Sequence, residues 1–347
     1  MSDKPKIALL NDSFPPTIDG VANVVVNYAS ILQERYADVV VATPWYPEAE
    51  DNYSFPVLRY PSINMTEDIG YRAGSPFSPD LIRRVEDFQP DIIHTHCPII
   101  SSVLARMLRD RTGAPVVFTY HTKFDIDIKK ALKGKLIQDA SIKAIVTNIS
   151  ACDDVWVVSE GAGKNLASLG YTGSYTVMEN GVDFPKGRAS EDKVRAFYQQ
   201  YNISPDTTVF LFVGRMMWYK GIRLSLDGLK AAKEQGAKFK FVAVGDGIDA
   251  VEIKKYAEEL GIMDDCVFTG VIRDREMLRV VFSAADLFLF PSTFDTNGIV
   301  VREAAACYCP SLLIDGSCAA EGIEDGRTGF LIREDTAEMC RRILWAC

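Results

Sequence analysis

At 347 residues, with 48% hydrophobic and 24% charged residues, the chain exceeds what one hydrophobic core usually serves, and two globular domains are expected. A formal net charge of −9 argues against general nucleic-acid binding. No apolar run approaches the length of a membrane span, the opening MSDKPKIALLNDSF enters a strand without a signal-peptide core, and the eight cysteines lack any CxxC or framework spacing, so a reduced, cytoplasmic chain is expected.

Lys6 to Leu10 reads as a buried strand ending at Asn11-Asp12. A loop with Pro15, Pro16 and Gly20 then opens a helix from Val21 to Arg35, which sets Gly20 where a helix-start N–H could meet an anion or simply make a turn. Val39 to Thr43 is a second strand, Glu48 to Ser78 reads as strand fragments and loop, and Leu81 to Phe88 is helical. Two further strands end in histidine, Ile92-Ile93-His94 and Val116 to His121. His94, His96 and His121 thus all fall at strand C-termini, the ligand-binding edge of open α/β sheets. They suit a zinc site, structural hydrogen bonding or contact with a sugar.

Phe124 to Ile145 places Lys129, Lys130, Lys133, Lys135 and Lys143 among Ile126, Ile128, Leu132, Leu136, Ile137 and Ile142, with Lys123 just ahead. Such a basic amphipathic stretch in an acidic protein fits either an anionic bilayer surface or a helix that buries its apolar face at home. Asp154 to Val158 is a strand, Ser159 caps a helix closed by Gly170, and Thr176 to Glu179 is a last short strand before the turn Asn180-Gly181. The first domain is therefore expected over 1–183, a linker and first helix over 184–204, and a second domain over 205–347.

The second half alternates again. Strand Val209–Val213 precedes helix Ile222–Gln235, strand Lys240–Val244, helix Val251–Leu260, strand Val267–Thr269, helix Asp274–Ser283 and strand Leu287–Phe290. This alternation, with glycine at the strand ends, predicts an α/β chain of doubly wound parallel sheets.

Two constellations stand out. Gly214 ends the first of these strands, and Arg215 and Lys220 follow at a spacing of five before Gly221. A planar fork, a point charge and a helix start suit a diphosphate, although a solvated surface pair has the same look. Asp295 lies in the loop after the last of these strands and Glu303 on the helix beyond, with Gly298 and the first helical N–H groups between them. Two carboxylates around a positive helix end can accept from vicinal hydroxyls, or can be a helix-start Asp and a surface Glu.

Taken together, the PPTIDGVANVV loop, PDIIHTHCP, VVFTYHTKFD, MENGVD, FVGRMMWYKG, VGDG, FTGVI and PSTFDTNGIVVREA give the chain its likeness. It resembles the family 4 glycosyltransferases, retaining GT-B enzymes that use nucleotide sugars, and HTH with TYHT is most similar to the diacylglycerol-glycosylating branch. The resemblance implies two Rossmann-like domains facing across a cleft. It implies that Arg215 and Lys220 hold the donor diphosphate, Asp295 contacts the donor sugar and Glu303 the nucleotide ribose. Gly20 and Gly214 would approach the phosphates, His121 would stand beside the donor sugar, Val271 and Ile272 would read the base, and Asn297, Gly298 and Ile299 would complete the donor site.

The resemblance further implies transfer of a hexose from a UDP- or GDP-sugar to a lipid such as diacylglycerol, with a soluble or polysaccharide acceptor as the alternative. No metal or other cofactor is implied, because the two cations do the work of a magnesium ion. Lys123, Lys129, Lys130 and Lys133 would face the acceptor or the inner face of an anionic membrane. Readings of another class are a metal hydrolase on His94, His96 and His121, or a sugar-nucleotide binder without turnover. The chain departs from the family pattern with Asp295 for glutamate, Tyr308 for glycine and Glu179 for proline. It also stops at Cys347, short of the family's final helix that crosses back onto the first domain, so a shortened second domain is expected.

Overall fold

The computed structural model describes residues 4–17, 19–65 and 71–347, excepting the side chains of Tyr71, Asp127, Lys130 and Ala131. It divides into two compact units, Met1–Asn180 and Gly181–Cys347.

In the first unit, strands β1 (Lys6–Leu10), β2 (Asp38–Pro44), β3 (Val57–Tyr60), β6 (Ile92–Thr95), β7 (Val116–Tyr120), β8 (Asp154–Val157) and β9 (Thr176–Val177) form one sheet, while β4 (Ser62–Met65) and β5 (Tyr71–Gly74) pair antiparallel beside it. The sheet order is β3-β2-β1-β6-β7-β8-β9, every pairing parallel. Both faces are covered, which is why these strands read as unbroken apolar runs. The period of two divides them. Ala8 and Leu10 of β1 pack with Leu81 and Val85 of α2 (Pro79–Phe88) and Leu104 and Leu108 of α3 (Ile100–Thr112). Leu9 turns the other way onto Val25 and Ala29 of α1 (Gly20–Arg35).

The basic stretch is not one helix. It forms α4 (Phe124–Ala131) and α5 (Lys135–Ser150), separated by Leu132–Gly134, where Gly134 takes a positive φ of 99°. Phe124, Ile128 and Ile142 pack on the core of their own unit, so part of the apolar face is buried at home. Leu136 and Ile137 are not; they stand 86% and 57% exposed. Ser159 caps α6 (Glu160–Ser168) through a bond from Ala162 N–H. Helix α3 escaped the sequence reading, which passed from one histidine strand to the next without a helix between them.

The second unit opens with α7 (Glu191–Gln200). Its sheet runs β12 (Cys266–Gly270), β11 (Phe239–Val244), β10 (Thr208–Val213), β13 (Leu287–Phe290), β14 (Ser311–Ile314), β15 (Phe330–Ile332), again wholly parallel. Counted within the unit this is the order 3-2-1-4-5-6 of a dinucleotide-binding sheet. The crossover helices are α8 (Ile222–Glu234), α9 (Ala250–Glu259), α10 (Arg275–Ala284) and α11 (Ile299–Ala306). The last helix, α12 (Thr336–Ala346), puts Met339 and Ile343 into the same core as Leu226 and Leu229 of α8. Strands β14 and β15 and helix α12 lie past the point where the sequence assignments ended. Tyr308, at the glycine position of the family pattern, sits just after α11 with φ 58°, the left-handed region that glycine enters without steric cost.

In each sheet the chain builds outward for three strands and then returns to the far side of the first. That reversal opens a crevice at the carboxyl ends, between β1 and β6 in one unit and between β10 and β13 in the other. Among the described residues no helix is long and apolar enough to cross a membrane.

Candidate functional site

At the crevice of the second unit, β10 gives out at Val213-Gly214 and leaves Arg215 exposed at the lip. The chain dips back through the buried Met216, whose N–H bonds the Asp246 carbonyl (2.9 Å), and makes a single 3-10 turn, Trp218–Lys220. Gly221 then takes φ 76° to start α8, and a Cβ there would collide with the carbonyl of Pro291 in the loop after β13. Only glycine lets the two loops close to this degree.

Their closure brings Lys220 and Asp295 together. Lys220 Nζ donates to Asp295 Oδ1 at 2.6 Å, and Ser292 Oγ donates to Oδ2 at 2.5 Å. Both side chains are largely buried, with 10% and 20% of their surface exposed. The rings of Tyr219 and Phe294 lie 4.4 Å apart, and the Lys220 ammonium is 5.7 and 5.8 Å from their centres. Each Asp295 oxygen still has acceptor capacity, since a carboxylate offers about four lone-pair sites.

Beyond Asp295 the loop buries Asn297 and reaches Gly298 (φ 60°), a glycine at the capping position, and α11 starts at Ile299. Glu303 is buried one turn along. It accepts from an Arg275 guanidinium N–H at 2.8 Å, and the same guanidinium bonds Asp183 and lies 4.2 Å from the Phe184 ring centre. Burial pushes the Glu303 carboxyl up, against the pull of Arg275. Val271 is exposed past the end of β12, and Ile272 packs on the unit's core.

Sequence reasoning thus named both partners of the Lys220–Asp295 pair but treated them as separate ligand groups. It missed Ser292, Arg275 and Asp183. Asp183 was legible only as the end of MENGVD, and Arg275 only as a cation at the start of a helix, because their meeting spans 92 residues.

In the first unit, Gly20 is exposed as the first residue of α1, with open space where a side chain would stand. The helix start already receives a carboxylate: Asp19 accepts from Ala22 N–H at 2.7 Å and from the Ser13 hydroxyl. At the crevice itself, buried Asp12 accepts from Ile100 N–H (3.1 Å) and Ser101 N–H (2.9 Å), filling the N-terminus of α3.

The three histidines gather in one buried cluster. His96 Nδ1 and His121 Nε2 are 3.0 Å apart and share a hydrogen bond, His94 Nε2 pairs with Thr119 Oγ1 at 2.7 Å, and the His94 and His96 ring centres lie 4.1 Å apart with the planes tilted by 33°, closed in by Tyr28 and Trp156. His96 Nε2 is buried without a hydrogen-bond partner, and among the described residues no group of three or more His, Cys, Asp or Glu is arranged to hold a metal ion. On the basic stretch, Lys123 precedes α4, Lys129 is paired with Asp125 (2.8 Å), Lys133 is exposed in the break, and the Lys130 side chain lies outside the described residues.

Two doubly wound parallel sheets in one chain are the layout of the GT-B fold. Two family models cover almost the whole sequence: "Glycosyltransferase Family 4" matches residues 18–185 and "Glycosyl transferases group 1" matches residues 193–344. The chain belongs to glycosyltransferase family 4. It is similar to an alpha-monoglucosyldiacylglycerol synthase of Streptococcus pneumoniae, 24% identical over 313 residues, which cover 88% of this chain and 70% of that enzyme. It is similar also to a GDP-mannose-dependent alpha-mannosyltransferase of Corynebacterium glutamicum, 25% identical over 331 residues, 94% of this chain and 76% of that one. In fold it matches Anabaena Alr3699/HepE, solved in complex with UDP, with a TM-score of 0.76 and 20% identity over 97% of this chain and 88% of that one.

Two predictions follow from the two clusters. Lys220→Ala leaves a largely buried carboxylate without its cation, so it should lower stability as well as turnover. Lys220→Ala/Asp295→Ala should recover much of that stability with turnover still lost, as read by denaturant melts beside donor turnover; strictly additive stability losses would deny the coupling. Burial holds the His94 and His121 imidazoles down at about 3 and His96 well below its ordinary value. The unfolded chain takes up these protons near 6.5 and the folded chain does not, so this stability is complete above about pH 6.5 and is lost as pH falls toward 3. Stability read by melts should therefore fall as pH drops below about 6.5, with a slope that approaches about 1.4 kcal/mol per pH unit for each histidine by about pH 5, and His94→Gln should flatten that slope by about one such share; an unchanged slope would contradict it.

Proposed function

We propose that the chain transfers a hexose from a UDP- or GDP-sugar to an acceptor hydroxyl, with retention and without a metal ion, and that the acceptor is a membrane lipid such as diacylglycerol. The observation that carries the donor half is the Lys220–Asp295 pair at the sheet's reversal point. It is a matched cation and anion at the place where such sheets bind nucleotides. A diphosphate takes Lys220, exposed Arg215 and the start of α11, while the sugar hydroxyls take the remaining Asp295 lone pairs. The ribose goes to Glu303, and the base to the backbone at Val271 and Ile272.

In the reaction, the bond from the anomeric carbon to the phosphate oxygen breaks as the acceptor oxygen attaches from the same face. The acceptor's proton goes to the departing phosphate. No protein nucleophile enters, and Lys220, Arg215 and the helix-start amides take up the growing negative charge, each worth about 3 kcal/mol of barrier. The complexes of Alr3699/HepE with UDP and UDP-glucose support a UDP-sugar, and the mannosyltransferase relative favours a GDP-sugar.

For the acceptor, the diacylglycerol-glycosylating relative supports a lipid. So do the exposed Leu136 and Ile137, flanked by exposed Lys133 and Lys135 at the start of α5. Apolar side chains ringed by lysines suit the headgroup zone of an anionic leaflet. The protein then works as a peripheral enzyme on the inner face of the cell membrane.

A thermal-shift panel of UDP, GDP, ADP and their hexose conjugates tests the donor. One nucleotide and its sugar should raise the melting temperature, by about 2.7 kcal/mol of stabilisation at a hundredfold excess over Kd, with no change on adding EDTA. A cooperative melt that none of them moves would sink the donor reading. Cosedimentation with phosphatidylglycerol vesicles tests the acceptor side: Leu136→Asp/Ile137→Asp should release the protein while leaving its melt intact. Equal pelleting of both proteins, or none of either, counts against the lipid.

A further inference from the structure

Arg215 and Lys220 have a conventional task at the site, but a third cation, Arg275, has none assigned. It opens the first turn of α10, where Asp274 caps the helix by accepting from Glu276 N–H at 2.9 Å. Its guanidinium makes three fixed engagements. Nε donates to Asp183 Oδ2 at 3.2 Å and a terminal nitrogen donates to the other oxygen of the same carboxylate, a two-pronged grip. That terminal nitrogen also donates to Glu303 Oε1 at 2.8 Å, and the plane rests 4.2 Å from the centre of the Phe184 ring. A planar fork braced on one carboxylate and one aromatic ring has little freedom left, and lysine could not reproduce both contacts.

What this rigidity serves is Glu303. That side chain is 9% exposed, on a helix whose first amides face the crevice. The groups that face it are Arg275 and, through it, Asp183, with Cys307 one turn along the same helix and Arg279 beside that thiol. Arg275 is thus the cation that pulls against burial of this acid. A carboxylate with one oxygen anchored presents its remaining acceptor sites in a fixed direction, which is what a pair of adjacent hydroxyls requires.

We propose that Arg275 is a positioning residue: it aims Glu303 at the ribose and so sets the preference for ribonucleotide over 2′-deoxyribonucleotide donors. The proposal rests on the donor reading above and extends it to a residue that touches no part of the donor. A site built to bond a hydroxyl rejects the analogue that lacks it, because its own polar group is left unmatched.

The test is isothermal titration of the full chain with UDP and 2′-deoxy-UDP, or with GDP and 2′-deoxy-GDP if the guanine nucleotide is the better ligand. The unaltered protein should favour the ribose form by tenfold or more. Arg275→Met should bring that ratio near one, as Glu303→Gln should, and Arg275→Met/Glu303→Gln should lower it no further. Arg275→Lys, which keeps the charge and loses the fork, should retain part of the preference and serves if the methionine variant does not melt cooperatively. A full ribose preference in folded Arg275→Met or Arg275→Lys would overturn the proposal and leave the donor reading standing. Equal affinity for both sugars in the unaltered protein would do the same, whereas no nucleotide binding at all would remove the donor reading and the proposal together.

Discussion

Where β10 lies against β13, the chain of the second unit has turned back across its own sheet, and two loops distant in sequence become neighbours. The pairing is short, Phe210 opposite Leu287 and Leu211 opposite Phe288, and it is buried to the point that neither strand can slip. A one-residue shift in register would swap the faces on which Phe288 and Phe290 pack and carry the Pro291 loop away from Gly221. The Lys220–Asp295 contact spans 75 residues and exists only because this register holds. Chemistry at the crevice is therefore underwritten by apolar packing several residues away.

The two acids of the site live under different rules. Asp295 is shared by a lysine and a serine hydroxyl in a loop, where its short side chain suits the distance to Lys220. Glu303 sits deeper and is answered by an arginine that is itself anchored twice. Removing a partner from either leaves a charge with little water to screen it, which makes these pairs expensive to break and hard to replace one residue at a time. Their positions are set by glycines at the loop ends, Gly221 and Gly298, whose backbones take conformations closed to most side chains.

Much of this was legible in the sequence, for a physical reason. Strands buried on both faces must be apolar throughout, so VFLFV and LFLF announce themselves, and the glycine that follows marks the edge where ligands gather. What stayed hidden depends on contacts between distant residues. Nothing local says that Arg275 will find Asp183, that Asp12 will cap a helix 88 residues on, or that His96 will bond His121 while His94 pairs with Thr119. The break at Gly134 was visible as a glycine within an amphipathic run, but the run's periodicity spoke for continuity. The long, strongly patterned elements were legible, and the pairings that give them chemical meaning were not.

Asp12 gives the first unit an unexpected character. Both sheets possess a helix start at the point of reversal, the feature that draws anions in folds of this kind. In the second unit the cap position is Gly298, which has no side chain to offer, while in the first the amides of Ile100 and Ser101 are already claimed by a carboxylate grown from the chain itself. A phosphate arriving there would meet a like charge in a filled seat. Two copies of one architecture thus cease to be equivalent through a single side chain, without any change in topology: one helix start is closed by the chain's own carboxylate and the other begins at a glycine.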